Sequence, residues 1–395
     1  MLIRSIELNN FLSFGSDPDP LALSSLNLLI GPNGSGKSNL LEAIELIRSA
    51  PVQWLKTIRE GGGVDDWLWK GADGVPAASI AVVVDSDNTG TNNLRYGFSF
   101  TSVGQRFELV DERIEKERPV QVTQTEPQIF YLFNNARPII NVRNEQRRLR
   151  REDLDPDRSI LAQRRDPDQY PEITRLADQF GSIRIYREWC FGRQTIPRLP
   201  QKADLPNDFL ESDASNLALV LNQLRRHPEV KMSLLNSLRK LYDGIDDYDV
   251  RIEGGTVQVF FLEGLEGQKG RFTVPATRLS DGTLRYLCLL AILCHPKPPP
   301  LICIEEPELG LHPDVLPVIA DLLKQASQRC QLIVTTHSDI LVDAMTDQPE
   351  SVLVCEKSGS GTGLTRLNSN SLKPWLEKYR LGELWTRGEL GGMRW

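Results

Sequence analysis

Apolar and polar positions alternate from the start of the chain. LIRSIEL, residues 2–8, reads as a half-buried strand, and SLNLLI, 25–30, as a second strand that runs straight into a glycine-rich loop. NLLEAIELIRS, 39–49, has the helical period instead, with Leu40, Ile44 and Ile47 on one face. A Gly- and Trp-rich stretch at 61–74 reads as a loop. SIAVVVD, 79–85, and LRYGFSFT, 94–101, have the composition of strands. These elements make one α/β block.

The middle of the chain loses that clarity. Residues 111–180 are rich in Arg, Asp, Gln and Pro, and helices are expected at 213–225 and 229–242, broken by His227-Pro228. No sustained heptad marks a long coiled coil, and no fixed-period repeat stands out. Regular patterning returns at VRIEGGTVQVFF, 250–261, a hairpin with a Gly-Gly turn. An apolar helix at 282–294 and the stiff connector HPKPPP lead to the continuous apolar strand LICIEE, 301–306. QLIVTTHS, 331–338, is a second buried strand, and SVLVCEK, 351–357, and GLTRL, 363–367, are expected at an edge. The division expected from these changes is 1–110, a charged and mainly helical stretch at 111–245, and 246–395.

Composition adds mostly exclusions. Hydrophobic residues are 40% and charged residues 25% of the 395, ordinary for a soluble globular protein. A net charge of -7 means that nucleic-acid contact needs a local basic patch. Between Arg137 and Arg187 there are 12 arginines against 9 acids, with the cluster Arg147, Arg148, Arg150 and Arg151 the sharpest spot. That cluster reads either as a phosphate contact or as a solvated helix face paired with Glu145, Glu152 and Asp153. The longest apolar run, Leu287–Cys294, is far too short to span a membrane, and the N-terminal residues lack a signal-peptide core. Six cysteines without a CxxC pair, mostly among apolar residues, read as reduced core residues of a cytoplasmic protein. Four histidines make a His/Cys metal cluster a poor reading.

The chemistry begins at Gly31-Pro32-Asn33-Gly34-Ser35-Gly36-Lys37-Ser38, which fits G-x-x-x-x-G-K-[ST] between a strand and a helix. Its glycines let backbone N–H groups turn inward onto phosphate oxygens, and the following helix adds its positive end. Lys37 is expected on the β and γ phosphates of ATP and Ser38 on Mg²⁺. At the end of strand 301–306, Glu305 is expected to hold Mg²⁺ and Glu306 to polarise the attacking water; the alternative is a solvated acidic strand end. His337 is expected to orient water at the γ-phosphate, against the alternative of a surface histidine. Leu279-Ser280-Asp281-Gly282-Thr283 opens the helix at 282, where Ser280 and the Gly282 backbone make either an anion site or an ordinary helix cap.

Taken in order, these four motifs resemble the SMC/RecF-like branch of ABC-type ATPases. The residues that carry the resemblance are IELNNFLSFG, GPNGSGKSNLLEAI, LSDGTLRYLCLLAIL, EEPELGLHP and TTHS, within about 1–48 and 270–345. The fold it implies is α/β, an ABC-type P-loop ATPase head with a mixed sheet and a largely helical insert in place of a long coiled coil. It implies ATP and Mg²⁺ as cofactors, with Asn33, Gly34, Ser35, Gly36, Lys37, Ser38 and Asn39 on the nucleotide. It also implies a homodimer in which each ATP lies between one copy's phosphate loop and the other's Ser280 and Gly282, with Pro307–His312 crossing to the partner. Three departures stand out. Asp281 replaces a usual glycine, Glu305 replaces a usual Asp, which points toward slow hydrolysis, and Leu12 replaces a basic residue. Phe11 and Phe14 read either as core or as neighbours of the base. Gln105, Gln121, Gln124 and Gln128 are all in range for the Q-loop.

The leading function is therefore an ATPase in DNA maintenance or antiphage defence. Only 58 residues follow His337, so the resemblance implies a separately encoded effector, such as a Toprim-type nuclease, with DNA a candidate partner and no membrane. The alternatives are an ATP-binding switch or scaffold with little turnover, and the nucleotide-binding subunit of a transporter. The large charged insert speaks against the transporter.

Overall fold

Two kinds of strand run through the chain, alternating ones with one buried face and continuous apolar ones with both faces buried, and they build different sheets. The computed structural model describes all residues except 17–18, 86–92, 118–126, 135–136, 143–144, 149–153, 243, 265–270 and 393–395. Strands β1 (Ile3–Asn9), β2 (Leu21–Ala22) and β3 (Leu26–Ile30) lead to helices α1 (Lys37–Ser49), α2 (Trp54–Glu60) and α3 (Val64–Trp67). Then come β4 (Ala78–Asp85), β5 (Asn93–Val103), β6 (Arg106–Lys116), β7 (Ile129–Asn134), β8 (Arg137–Val142), β9 (Glu145–Arg148), α4 (Ile160–Gln163) and α5 (Pro171–Gly181). The chain continues through β10 (Arg184–Tyr186), β11 (Gln201–Lys202), α6 (Leu217–Leu224), α7 (Pro228–Arg239), β12 (Ile245–Glu253), β13 (Thr256–Gly264) and β14 (Arg271–Pro275). Last are α8 (Asp281–Leu293), β15 (Leu301–Glu305), α9 (Leu316–Ala326), β16 (Gln331–Thr335), α10 (Asp339–Asp343), β17 (Val352–Ser358), β18 (Gly361–Arg366), α11 (Ser369–Leu376) and α12 (Leu381–Thr386).

These elements cluster into two compact units. The first comprises Met1–Ile183, Leu353–Leu367 and Leu390–Trp395. Its large sheet is antiparallel throughout, in the order β2-β1-β4-β5-β6-β7-β8-β9. The alternation in the sequence is realised directly: Ala78, Ile80, Val82 and Val84 of β4, and Leu94, Tyr96, Phe98 and Phe100 of β5, are buried. Trp54 of α2 lies tilted at 4.8 Å from Phe98, and Phe180 of α5 lies 5.4 Å from Tyr96, so both helices cover this face. β3, with all five residues buried, neighbours the β17–β18 hairpin.

The second unit comprises Arg184–Val352 and Asn368–Glu389. Here β10, β15 and β16 are parallel, with Tyr186 opposite Ile304 and Glu305 opposite Thr335. The LICI of β15 and all of β16 are buried, as continuous apolar strands require. α8 packs against α6, α7 and α9. A separate antiparallel sheet joins β11, β13, β12 and β14, and its Gly254-Gly255 turn has φ of 56° and 79°, the left-handed pair expected of a tight hairpin. α12 packs on α10, where the Gly382 amide donates to Asp343.

The stretch 111–245 carries both kinds of structure. Helices α4–α7 lie between 160 and 239, with the break at His227-Pro228, where Pro228 opens α7. Residues 129–148 instead add β7–β9 to the first unit's sheet. IFYLFN and RPIINV are β-branched and aromatic segments, and such side chains favour the pleated surface even among charged neighbours. All six cysteines are free, five of them buried and Cys190 exposed.

Candidate functional site

The phosphate loop belongs to the first unit. Gly31, Gly34 and Gly36 have φ of 148°, 77° and 106°, in the region that favours glycine. A Cβ on Gly31 would lie 2.4 Å from the Cys355 carbonyl oxygen, and one on Gly36 2.3 Å from Thr362 Oγ1; around Gly34 the space is open. Lys37 is buried and curls back into the loop, donating to the carbonyl oxygens of Gly31 (2.8 Å) and Pro32 (3.1 Å). Ser35 Oγ is buried and has no hydrogen-bond partner. Asn33, Gly34 and Ser38 are exposed, and α1 starts at Lys37. The result is a cradle with an inward ammonium, an orphaned hydroxyl and the positive end of a 13-residue helix, which suits an anion.

Three polar side chains brace this loop from behind. Thr362 Oγ1 lies 2.7 Å from Ser13 Oγ and 2.8 Å from the Ser35 carbonyl oxygen, and Asn39 Nδ2 donates to Ser13 Oγ at 2.6 Å. Asn39, expected on the nucleotide, is thus held by Ser13. Thr362 had no signal in the sequence, since it stands 327 residues from the carbonyl it supports. Phe11 and Phe14 are buried, with Phe11 5.7 Å from Trp67, so the core reading accounts for both. Leu12 has φ 50° and donates its amide to the Trp67 carbonyl oxygen, part of the tight turn that presents Ser13.

The second unit carries the acidic turn. Glu305 ends β15, and Arg187, one residue beyond β10, lies 3.6 Å from it because the strands are in register. Glu306 has φ 45°, a strained value for a non-glycine residue, and is held there by its amide, which donates to the carbonyl (3.0 Å) and hydroxyl (3.2 Å) of Thr335. His337 Nε2 lies 3.4 Å from Glu306 Oε1. The structure therefore brings Glu306 and His337 together, although 31 positions separate them in the sequence. Glu308, read in the sequence only as part of the Pro307–His312 segment expected to cross to a partner, accepts from Thr336 Oγ1 and the His337 amide, both at 2.7 Å.

Helix α8, which Ser280 opens, lies in the same unit. Ser280 is exposed and caps α8, accepting from the Thr283 amide at 3.0 Å. A Cβ on Gly282 would lie 2.7 Å from the Gly310 carbonyl oxygen, so glycine is needed for a contact within the chain itself. Asp281 is not an idle departure. Buried Arg198 pairs with its carboxylate, also donates to the Leu279 carbonyl oxygen, and reaches the Phe191 carbonyl oxygen at 2.7 Å. Arg285 lies over the rings of Trp189 (5.5 Å) and Phe191 (5.6 Å). Burial lowers its pKa, and the negative charge of Glu308 acts against that. One segment, 187–198, thus touches Glu305 at one end and α8 at the other.

Other expectations find less support. Arg147 and Arg148 lie on strand β9, so the helix-face reading does not hold for them, and Arg150 and Arg151 lie outside the described residues. Gln121 and Gln124 also lie outside them; Gln105 occupies the β5–β6 turn with φ 63°. Among the described residues no group of three His, Cys, Asp or Glu side chains is placed to hold a metal, and no helix is long and apolar enough to cross a membrane.

Set beside known proteins, the fold is that of an SMC-type ATPase head. A solved SMC head bound to the C-winged helix domain of ScpA shares it with a TM-score of 0.58 at 16% identity, over 93% of this chain and 99% of that one. A head with an extended coiled coil, derived from Pyrococcus furiosus and bound to the C-terminal domain of ScpA, gives 0.58 at 15% identity, over 95% and 98%. The chain belongs to the family described as "AAA domain, putative AbiEii toxin, Type IV TA system", whose model matches residues 26–343. The chromosome partition protein Smc of Cereibacter sphaeroides is 36% identical over 89 residues, 22% of this chain and 8% of that protein. Smc of Mycobacterium tuberculosis is 31% identical over 107 residues, 27% of this chain and 8% of that protein. The matches thus span under a tenth of these much longer relatives. The SMC/RecF-like resemblance read from the motifs is borne out.

Proposed function

We propose that the protein is an ATPase of the SMC/RecF-like kind that binds ATP at Gly31–Ser38 and works as a head-to-head dimer. The observation that carries this reading is the cradle itself, where Lys37 sits inside a loop of left-handed glycines. Asn33, Gly34, Ser35 and Gly36 are assigned to the phosphates through their backbone N–H groups, and Lys37 to the β and γ phosphates. Ser38 and Glu305 are assigned to Mg²⁺, an ion content with one or two protein ligands beside phosphate and water, and one that would neutralise charge on the phosphates. Glu306 takes the proton-accepting role toward water, and His337, 3.4 Å away, orients that water and donates to phosphate.

Ser280 and the Gly282 backbone are assigned to the nucleotide of a second copy, which suits their place at the exposed start of α8. Isothermal titration with ATP tests the cradle: Lys37→Ala should abolish binding that the wild type shows, and equal affinities would overturn the reading. Ser280→Arg should keep binding but prevent ATP-dependent dimers on sizing chromatography; an unchanged dimer would refute the shared site.

The SMC heads of the same fold are bound to ScpA domains, and a separately encoded effector is proposed here by that likeness. The family description names a toxin of a type IV system, which favours defence as the setting. A second reading, an ATP-held switch with little turnover, is favoured by one contact. Arg187 beside Glu305 competes for the carboxylate assigned to Mg²⁺.

A further inference from the structure

The turn after β15 holds a carboxylate that the ATPase reading leaves unused. His337 stands two residues beyond the end of β16. The segment 335–338 is held from two sides of one turn. On one side the Glu306 amide donates to the Thr335 carbonyl and hydroxyl. On the other, Glu308 Oε1 receives the Thr336 hydroxyl and the His337 amide, each at 2.7 Å. Thr336 Oγ1 in turn accepts from the Ser338 amide at 3.0 Å, and Ser338 caps α10 by accepting from Leu341. The Thr336 hydroxyl therefore has a fixed direction, as donor to Glu308 and acceptor from Ser338. The left-handed φ of Glu306 turns the chain so that carboxylates two residues apart serve the same segment.

We infer that Glu308 is a positioning residue, which holds the His337 main chain so that its imidazole stays beside Glu306. This rests on the reading of Glu306 and His337 as the hydrolytic pair. Bonds from a carboxylate to N–H and O–H donors are short and strong, and they set the imidazole's base point without touching the ring. The loss of a fixed catalytic geometry acts on turnover more than on substrate binding. Gln at 308 keeps a carbonyl oxygen able to accept from both donors, whereas Ala keeps none. The comparison of the two therefore separates the hydrogen bonds from the charge.

The experiment uses the full chain and two readouts. Amide hydrogen exchange at 336–338 should rise about tenfold or more in Glu308→Ala and stay within about threefold of wild type in Glu308→Gln. The kcat for ATP should fall about 10–100-fold in Glu308→Ala with KM within about twofold, and Glu308→Gln should recover most of it. Should Glu308→Ala fail to fold, Glu308→Asp, one methylene short, should show the same two changes at smaller size. Unchanged exchange in the Ala or Asp variant, or a Gln variant as impaired as Ala, would overturn the inference. If the wild type hydrolyses no faster than Glu306→Gln, the ATPase reading fails by itself, and the exchange arm still decides whether Glu308 holds His337.

Discussion

The phosphate loop and the acidic turn reach defined geometry by opposite routes. The loop's shape is written into eight consecutive residues, three of them glycines with φ values that side chains rarely adopt. The turn holds an ordinary glutamate at φ 45°, and it stays there through bonds to Thr335 on the neighbouring strand. The loop's backbone conformations come from its own glycines, and Ser13 and Thr362 brace it from behind. The turn needs the β15–β16 register to be right first, because Glu305 must face Thr335 before Glu306 can be held.

Substitutions in the two regions should therefore fail differently. The largest effect is expected at Lys37→Ala, which should weaken ATP binding at least about a hundredfold, since charged hydrogen bonds to phosphate are lost; titration calorimetry measures it. Gly36→Ala comes next. The new Cβ meets Thr362 Oγ1 at 2.3 Å and Ser13 Oγ at 2.7 Å with φ 106°, so a loss of about 1–3 kcal/mol is expected together with loss of binding; chemical denaturation and calorimetry check the two. His337→Ala should slow hydrolysis roughly a hundredfold and leave ATP affinity nearly unchanged. An equal loss in both quantities would place His337 in binding instead. The smallest effect belongs to Thr335→Val, which removes one of two acceptors for the Glu306 amide and should cost about 1 kcal/mol in stability with a modest drop in turnover.

A pH experiment touches neither region and serves as their control. Glu112 in the first unit is wholly buried, accepting from Tyr96, Ser159 and the Ile160 amide, with Asp111 and Tyr131 nearby. Burial raises its pKa from 4.5 to about 7 against the help of those donors. The unfolded chain then releases this proton first as pH rises, so the folded state binds more protons between pH 4.5 and about 7. Stability should fall across that window and level off above it. Glu112→Gln should flatten the urea midpoint over the same range while leaving ATP binding intact; an unchanged slope would exclude Glu112 as its source.

What the sequence disclosed follows the same divide. The loop, the helix behind it and the buried strands were legible because short motifs or unbroken apolar runs encode them; Glu306 and His337 were each read at a strand end, and only the fold brings them together. Thr362 and Ser13 were not legible, because a Thr and a Ser become braces only when β18 and the turn at 10–14 meet. Arg187, Arg198 and Glu308 were equally silent, as single charges have no pattern until a strand register or helix end gives them partners. Strands β7–β9 were hidden by the charges around them, although Phe130, Tyr131 and Phe133 pack as β residues do. Asp281 read only as a departure from a usual glycine, and its partner Arg198 shows that the position is used here.

Steady-state phosphate release from ATP by the wild type and by Glu306→Gln tests the central claim most directly. The account predicts that both proteins bind ATP and that the variant releases phosphate at least about tenfold more slowly. Equal rates in the two would contradict it, leaving a nucleotide-binding head without the chemistry assigned to its acidic turn.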